Sequence, residues 1–276
     1  MLAIERIEST SNSKIKLAAK LHSPKHRKAE NMFVAEGVRL AEMAARSEWP
    51  VEFALISDSA VNNPRAVAIV EVLQEKGCPV YQVSDQLYGK AADTVTPQGL
   101  LLVMSLRIFT WQEMLKVNEE ETVAPLIVVL DGVQDPGNAG NIIRTAEALG
   151  CSGIVCLEGT TDIFADKVVR SSMGSLFNIP VMTGVSPYEL LDVCHENEVP
   201  LIATAVDDTA VRHYLADYVS PCAIIFGNEG NGVSAQLLHE VDQKVYIPMS
   251  GKAESLNVSA AVAILLYEAF RQRSIL

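Results

Sequence analysis

The chain has no apolar run long enough to cross a membrane. Its longest, Leu100–Met104, Leu126–Leu130 and Ala260–Leu266, fall well short of the roughly 18 residues a span requires. It has no signal-peptide core, because its first residues, MLAIERIESTS, alternate charged and apolar groups. A soluble cytoplasmic protein is the expectation. CxxC pairs are missing too, and the five cysteines (Cys78, Cys151, Cys156, Cys194, Cys222) are an odd number. That pattern fits reduced thiols and excludes a disulfide frame or a cysteine zinc site. His22 and His26 stand four apart, as helical metal ligands do, but among lysines and without an acidic or sulfur ligand nearby in sequence, so no metal is expected. Basic charge is scarce: 22 Lys and Arg stand against 34 Asp and Glu, a net −12, which argues against a generic nucleic-acid binder.

What is present is apolar bulk and an uneven charge. Apolar residues make up 49% of 276 positions, enough to pack the core of one large domain or two ordinary ones. Residues 1–28 carry Arg6, Lys14, Lys16, Lys20, Lys25, Arg27 and Lys28 against Glu5 and Glu8, a balance of +5, which leaves −17 on the remainder. A basic head on an acidic body suits phosphate contact at one end, although a solvated helix face would look the same.

The N-terminal part reads as mixed α/β: a helical pattern over Phe33–Arg46, a strand at Glu52–Ser57, a helix over Pro64–Lys76 and strands at Pro79–Ser84 and Gly99–Ser105. The stretch from Arg107 to Pro125, with an acidic run at Glu119–Glu121, reads as a linker, giving domains at 1–106 and 125–276 around a linker at 107–124. The second half alternates strands (Leu126–Leu130, Gly153–Leu157, Leu201–Ala205, Ala223–Phe226, Val245–Ile247) with helices (Asn138–Leu149, Asp166–Ser172, Pro187–Asn197, about Asn257–Arg273). Such alternation predicts an α/β fold with a mostly parallel sheet, whose ligands bind beyond the C-terminal ends of the strands.

Three turns at those ends carry the chemical signal. In LDGVQDPGNAGNIIRTAEALG (130–150) a strand runs through a glycine-rich turn into a helix, presenting backbone N–H groups to an anion. A dinucleotide-binding turn is the rival, with Glu158 near the place of a ribose-binding acid. Gly137 and Gly140, however, give G-x-x-G where G-x-G-x-x-G is needed, and Pro136 stands within. Arg144 reads as lying early in the helix, where a cation opposes the helix dipole and is better placed to meet a phosphate. In AIIFGNEGNGVS (223–234) a strand ends in a turn centred on Glu229. In VYIPMSGKAESLNVSAAVAILLYEAF (245–270) a strand and loop lead to a helix begun by Ser255 or Asn257. That helix is apolar around most of its circumference (Val258, Ala261, Val262, Ile264, Leu265, Phe270), which predicts either burial within the chain or cover by a second subunit.

In this order the three segments, with N-x-x-x-x-x-R (Asn138–Arg144), F-G-N-E-G-x-G (Phe226–Gly232) and I-P-M-x(6)-L-N-V-S (Ile247–Ser259), resemble the motifs of the SpoU (TrmH) family of RNA 2′-O-ribose methyltransferases in the SPOUT superfamily. STSNSKIK, HRK and FVAEGVRL in the first half resemble, more loosely, the substrate-binding domain of its bacterial ribosomal-RNA members. The resemblance implies a SPOUT-type α/β domain with a deep C-terminal trefoil knot, preceded by a small α/β RNA-binding domain. It implies S-adenosyl-L-methionine as methyl donor, held near Thr204, Ala205, Gly227, Ile247, Pro248 and Leu256, and a catalytic set of Arg144, Asn138, Glu229, Ser255 and Asn257, with Glu229 either positioning Arg144 or a knot loop or serving as a buried or paired structural residue. It further implies a homodimer with a shared site and an RNA substrate, 23S ribosomal RNA before transfer RNA. Lys14, Lys16, Lys25, Arg27, Lys28 and Arg39 are candidates for gripping RNA backbone. Two other classes are carried: a non-catalytic RNA-binding protein of the same fold, which would transfer no methyl group, and a nucleotide-dependent oxidoreductase, which would bind NAD(H).

Overall fold

Each half of the chain closes its short branched-apolar runs into a sheet of its own. The computed structural model of the chain describes residues 4–116 and 124–274. Two units result: Met1–Arg107 with Phe164–Phe177, and Ile108–Ile163 with Asn178–Leu276. The acidic run Glu119–Glu121 of the expected linker lies outside the described residues. No helix among them is long and apolar enough to cross a membrane.

The first unit runs β1 (Glu5–Ile7), α1 (Ser13–Lys20), α2 (Pro24–Glu30), β2 (Met32–Glu36), α3 (Val38–Arg46), β3 (Val51–Ser57), α4 (Pro64–Glu75), β4 (Val80–Val83), α5 (Asp85–Ala91) and β5 (Leu100–Ser105). The strands form a mixed sheet in the order β1-β4-β3-β5-β2, with β5 antiparallel to both its neighbours. Alternate residues of the central strands face opposite layers. Val34, Phe53, Leu55, Leu101 and Val103 pack on Ile15 and Ala18 of α1 and on Leu87, Tyr88 and Ala91 of α5.

The helix expected over Phe33–Arg46 is a strand followed by a helix. Phe33 to Glu36 are all buried and pair residue by residue with Leu101–Met104 of β5, so burial on both sides overrides the helical spacing of Val34, Val38 and Leu40. Gly37, at φ 111°, turns the chain between them.

The second unit contains α6 (Trp111–Leu115), β6 (Leu126–Asp131), α7 (Pro136–Ala148), β7 (Gly153–Leu157), then, after the excursion carrying α8 (Asp166–Ser171), β8 (Val181–Val185), α9 (Pro187–Glu196), β9 (Leu201–Thr204), β10 (Val211–Arg212), β11 (Cys222–Gly227), α10 (Ala235–Glu240), β12 (Gln243–Tyr246) and α11 (Val258–Arg273). Its seven strands are all parallel, in the order β10-β12-β9-β11-β6-β7-β8. Met114 of α6, Leu190 and Cys194 of α9 and Leu237 of α10 pack with Ile127, Val129, Val155, Ala203 and Ile225. α7 and α11 lie side by side.

Two placements differ from the sequence reading. The expected linker 107–124 contains a helix of the second unit: Thr110 and Glu113 close a capping box at its start, and Met114 is fully buried. Five residues are too few for periodicity to reveal. Residues 164–177, expected within the second domain, pack with the first unit, where Phe164 and Phe177 join Phe33 and Trp49 in a cluster with ring centroids 5.2–6.4 Å apart. Strand β8 was missed because Gly184 and a register shift interrupt its apolar alternation.

Candidate active site

The C-terminal ends of β9, β11 and β12 open into a cleft of about 550 Å³ in the second unit, a volume within the range of small-molecule sites. Phe226, Ile247, Leu256 and Leu265 give it an apolar lining, and Glu229, Glu254, Ser255 and Asn257 supply polar groups. The 227–233 turn folds back tightly. Asn228 and Gly232 exchange backbone hydrogen bonds of 3.0 and 2.9 Å, and a Cβ on Gly227 would lie 2.0 Å from the Gly232 carbonyl carbon. Only glycine allows the strand end to meet its own returning chain here.

The three sequence turns converge on one hydrogen-bonded chain. Glu229 accepts from the backbone amides of Gln134 and Asp135, both at 3.2 Å, and from Asn138 Nδ2 at 2.9 Å. Asn138 Oδ1 in turn accepts from Asn257 Nδ2 at 3.0 Å. Asn257 Oδ1 accepts from Ser259 N and Oγ, at 2.9 and 2.6 Å, and so caps α11. The network admits a single orientation of both amides, because the carboxylate and the helix amides fix its two ends. Burial works to raise the Glu229 carboxyl, but the hydrogen bonds from Asn138 and from the amides of residues 229, 134 and 135 prevail and hold it below the ordinary glutamate range.

The first turn is shorter than the sequence suggests. Asp135 caps α7 through the Asn138 amide at 2.8 Å, and Pro136 is the first helical residue. Gly137 and Gly140 therefore lie inside the helix and form no dinucleotide loop. Arg144 is the ninth of its 13 residues, so the dipole argument does not apply to it. It sits less than two turns, roughly 9 Å along the axis, from Asn138. Glu229 holds Asn138 and the 134–135 turn, with no bond to Arg144. Arg144 is exposed and, among the described residues, makes no hydrogen bond or ion pair. It lines an open hollow on the outer face of α7 and α11, with Asn141, Thr145, Ala148, Leu149, Ser259 and Ala260, and does not line the cleft of its own chain.

Of the residues expected to hold the methyl donor, Thr204, Ala205, Gly227, Ile247 and Leu256 line the cleft, while Pro248 is exposed beside it. Ser255 lines it as well. The sequence reading overlooked Asn228 and Asp131. Asn228 donates to the Gly132 carbonyl at 2.9 Å and accepts from the amides of Gly230 and Asn231, and Asp131 accepts from the Ser234 amide at 2.7 Å. The signal was present, since Asp131 is the last residue of a buried strand and Asn228 directly follows one.

In the first unit Lys16, Lys25, Lys28 and Arg39 are exposed, and Lys14 lies 4.8 Å from the centre of the Tyr81 ring. Arg27 is a correction. At 4% exposure it donates to the Leu21 carbonyl at 2.7 Å and stands 4.0 Å from Asp166, a structural placement that leaves it no surface for RNA. His22 also has the acidic neighbours its local sequence lacks. Its ligand atoms and those of Asp93 and Asp166 lie within 4.8 Å of one another. Both ring nitrogens are occupied, Nδ1 by Asp166 at 2.9 Å and Nε2 by the Ala91 carbonyl at 2.8 Å, which makes the group a charge network.

Comparison with known proteins places both units. Residues 125–267 match the model of the SpoU rRNA Methylase family, and residues 12–102 that of the MRM3-like substrate binding domain. The chain is 36% identical over 264 residues to the 23S rRNA (guanosine(2553)-2′-O)-methyltransferase RlmP of Bacillus subtilis, covering 96% of this chain and 98% of that one. It is 30% identical over 247 residues to the 23S rRNA (uridine(2479)-2′-O)-methyltransferase of Streptomyces viridochromogenes, covering 87% and 83%. Among solved structures, an AdoMet-bound rRNA methyltransferase from Sinorhizobium meliloti superposes with a TM-score of 0.85 at 30% identity over 98% of both chains.

Proposed function

The chain belongs to the SpoU rRNA Methylase family, and from that premise we propose that it transfers a methyl group from S-adenosylmethionine to a ribose 2′-hydroxyl of ribosomal RNA. The observation that carries this reading is the clasp of Glu229, Asn138 and Asn257, which ties three separate turns together at the rim of one cleft.

The cleft fits the donor. It has an apolar lining for a flat heterocycle, carboxylates at Glu229 and Glu254 that favour a cationic ligand, and a wall at Gly227 into which no side chain can intrude. Thr204, Ala205, Gly227, Ile247 and Leu256 would hold it, largely through backbone groups, with Pro248 shaping the adjoining loop. S-adenosylmethionine, when bound, supplies an electrophilic methyl group on a sulfonium.

The work of this chain is alignment and charge. Holding two reactants in line can contribute up to about 7–11 kcal/mol in favourable cases. Arg144 carries an exposed guanidinium with no partner among the described residues, suited to gripping the target phosphate and to stabilising negative charge that grows on the 2′-oxygen. A guanidinium does not readily release its proton, so the electrostatic role is preferred to that of a base. Asn138 and Asn257 keep the rim in register, and Ser255 offers a hydroxyl beside them.

Arg144 does not line the cleft of its own chain, which supports a site completed by a second copy. The exposed apolar side chains of α11, Ile264, Tyr267 and Phe270, support a homodimer through this face. A trefoil knot around the cleft and a cytoplasmic location follow from the same family reading.

Mapping ribose methylation across total RNA with and without the gene tests the function. One large-subunit position losing its methyl group, restored by the wild-type gene and not by Arg144→Ala, is the expected result. Loss in transfer RNA would reassign the substrate, and no loss in any RNA would favour a non-catalytic RNA-binding protein.

A further inference from the structure

A cavity of about 330 Å³ in the first unit has no part in the methyl-transfer site. It opens where Gly37 leads into α3, and Arg39, Thr94, Thr96, Gln98 and Arg170 converge on it. Arg170 arrives from the 164–177 excursion, far outside the residues matched by the substrate-binding family model. The cavity is incomplete without that segment.

Part of this donor set is uncommitted, and Arg170 is shared with Asp93. Arg39 is exposed and, among the described residues, makes no hydrogen bond or ion pair. Arg170 Nη1 is buried and lies 3.0 Å from Asp93 Oδ2, at an angle that gives charge contact but no hydrogen bond, so this N–H lacks an acceptor. Gln98 uses its Oε1 to accept from the Val38 amide at 2.9 Å, which leaves its amide donors for a ligand. The buried Glu36 also borders the space. Its carboxylate is engaged by the amides of Asp93 and Thr94, at 3.0 and 3.2 Å, and by the Thr94 hydroxyl. It braces the 93–98 loop that carries three of the lining residues.

The chemistry of this set selects the ligand. Two guanidinium forks with neutral donors between them match the oxygens of a phosphodiester. Among the described residues the lining contains no aromatic ring on which a base could stack. The geometry points to a binding site for a backbone phosphate of the substrate RNA, formed by Arg39 and Arg170 with Thr96 and Gln98. This assignment rests on the RNA methyltransferase reading above and names where on the first unit the RNA is gripped.

The test measures binding of unmodified large-subunit ribosomal RNA to the full-length protein across a salt series, for the wild type, Arg39→Ala, Arg170→Ala and Arg170→Lys. Each alanine variant is expected to weaken binding roughly fivefold to tenfold and to flatten the dependence of log affinity on log salt by about 0.7–0.9. Arg170→Lys keeps the charge beside Asp93 but loses the fork, and should fall between. Affinity for S-adenosylmethionine should not change. Arg39 is exposed and, among the described residues, makes no hydrogen bond or ion pair, so the result for Arg39→Ala stands even if Arg170→Ala fails to fold. Unchanged RNA affinity and salt slope in Arg39→Ala and Arg170→Lys would overturn the assignment. So would adenosine 5′-monophosphate binding that is lost in Arg39→Ala while RNA binding is not, since the cavity would then serve a free nucleotide. If the wild type transfers no methyl group to any RNA, the proposed function fails on its own, and the binding series still decides the cavity.

Discussion

Asn257 does two jobs with the two ends of one amide, and substitution can separate them. Its oxygen caps α11 through Ser259 and Ala260, while its nitrogen donates to Asn138. Asn257→Ala removes both. Loss of a helix cap costs about 1 kcal/mol. A partly solvated side-chain hydrogen bond adds roughly 0.5–1 kcal/mol. For a unit of this size the sum lowers the melting midpoint by about 3–8 °C. Asn257→Asp keeps the capping oxygen and places a negative charge at a helix N-terminus, where it is favourable. It also sets a carboxylate against Asn138 Oδ1, now 3.0 Å from a donor. Asn138 cannot turn its amide to help, because its nitrogen is held by Glu229 at 2.9 Å and an exchanged oxygen would meet that carboxylate. Asn257→Asp should therefore melt within about 2 °C of the wild type. Its methyl transfer should drop at least about tenfold, the size expected when an aligned group is displaced. Calorimetric melts and transfer of radiolabelled methyl to ribosomal RNA read the two effects independently. Full activity in Asn257→Asp would refute the clasp, and a stability loss equal to that of Asn257→Ala would refute the capping argument.

Three further outcomes follow from the geometry. Gly227→Ala places a methyl group 2.0 Å from backbone that no rotamer change can move. It should cost about 1–3 kcal/mol or more and abolish S-adenosylmethionine binding by calorimetry, and an unperturbed Kd would contradict the close approach. At His22, burial lowers the ring pKa, but the Asp166 hydrogen bond and charge, the Ala91 carbonyl and the nearby Asp93 outweigh it, so the net shift is upward. The stabilisation is thus fully present below the unfolded value of about 6.5 and is lost as pH rises through the folded value. The melting difference between wild type and His22→Gln should accordingly shrink with rising pH, and a difference that grows would reverse the sign. Tyr267, 62% exposed on α11, is expected at the subunit contact. Tyr267→Glu should sediment as a monomer and lose methyl transfer, whereas an active wild-type monomer would exclude the shared site.

Much of the site was legible because it depends on local chemistry. A turn that reverses within its own returning chain needs glycine at Gly227, a helix start needs Asn257, and a buried parallel strand needs the branched run at Leu126–Leu130. Such requirements are met within a few residues and leave a spacing that can be read. The strand at Met32–Glu36, the burial of Arg27 and the acid beside His22 have no local signature. Each depends on a partner far along the chain: β5 for the strand, Asp166 for Arg27 and His22.

Arg144 and Arg170 mark the same division at the molecular surface. The motif spacing singled out Arg144, but the packing of α7 against α11 decides that it lines the hollow between them and not the cleft of its own chain. Arg170 carried no signal at all until residues 164–177 folded onto the first unit. Backbone conformation answers to neighbours in sequence, whereas exposure and electrostatic company answer to neighbours in space, and a long excursion of chain can supply those from either half.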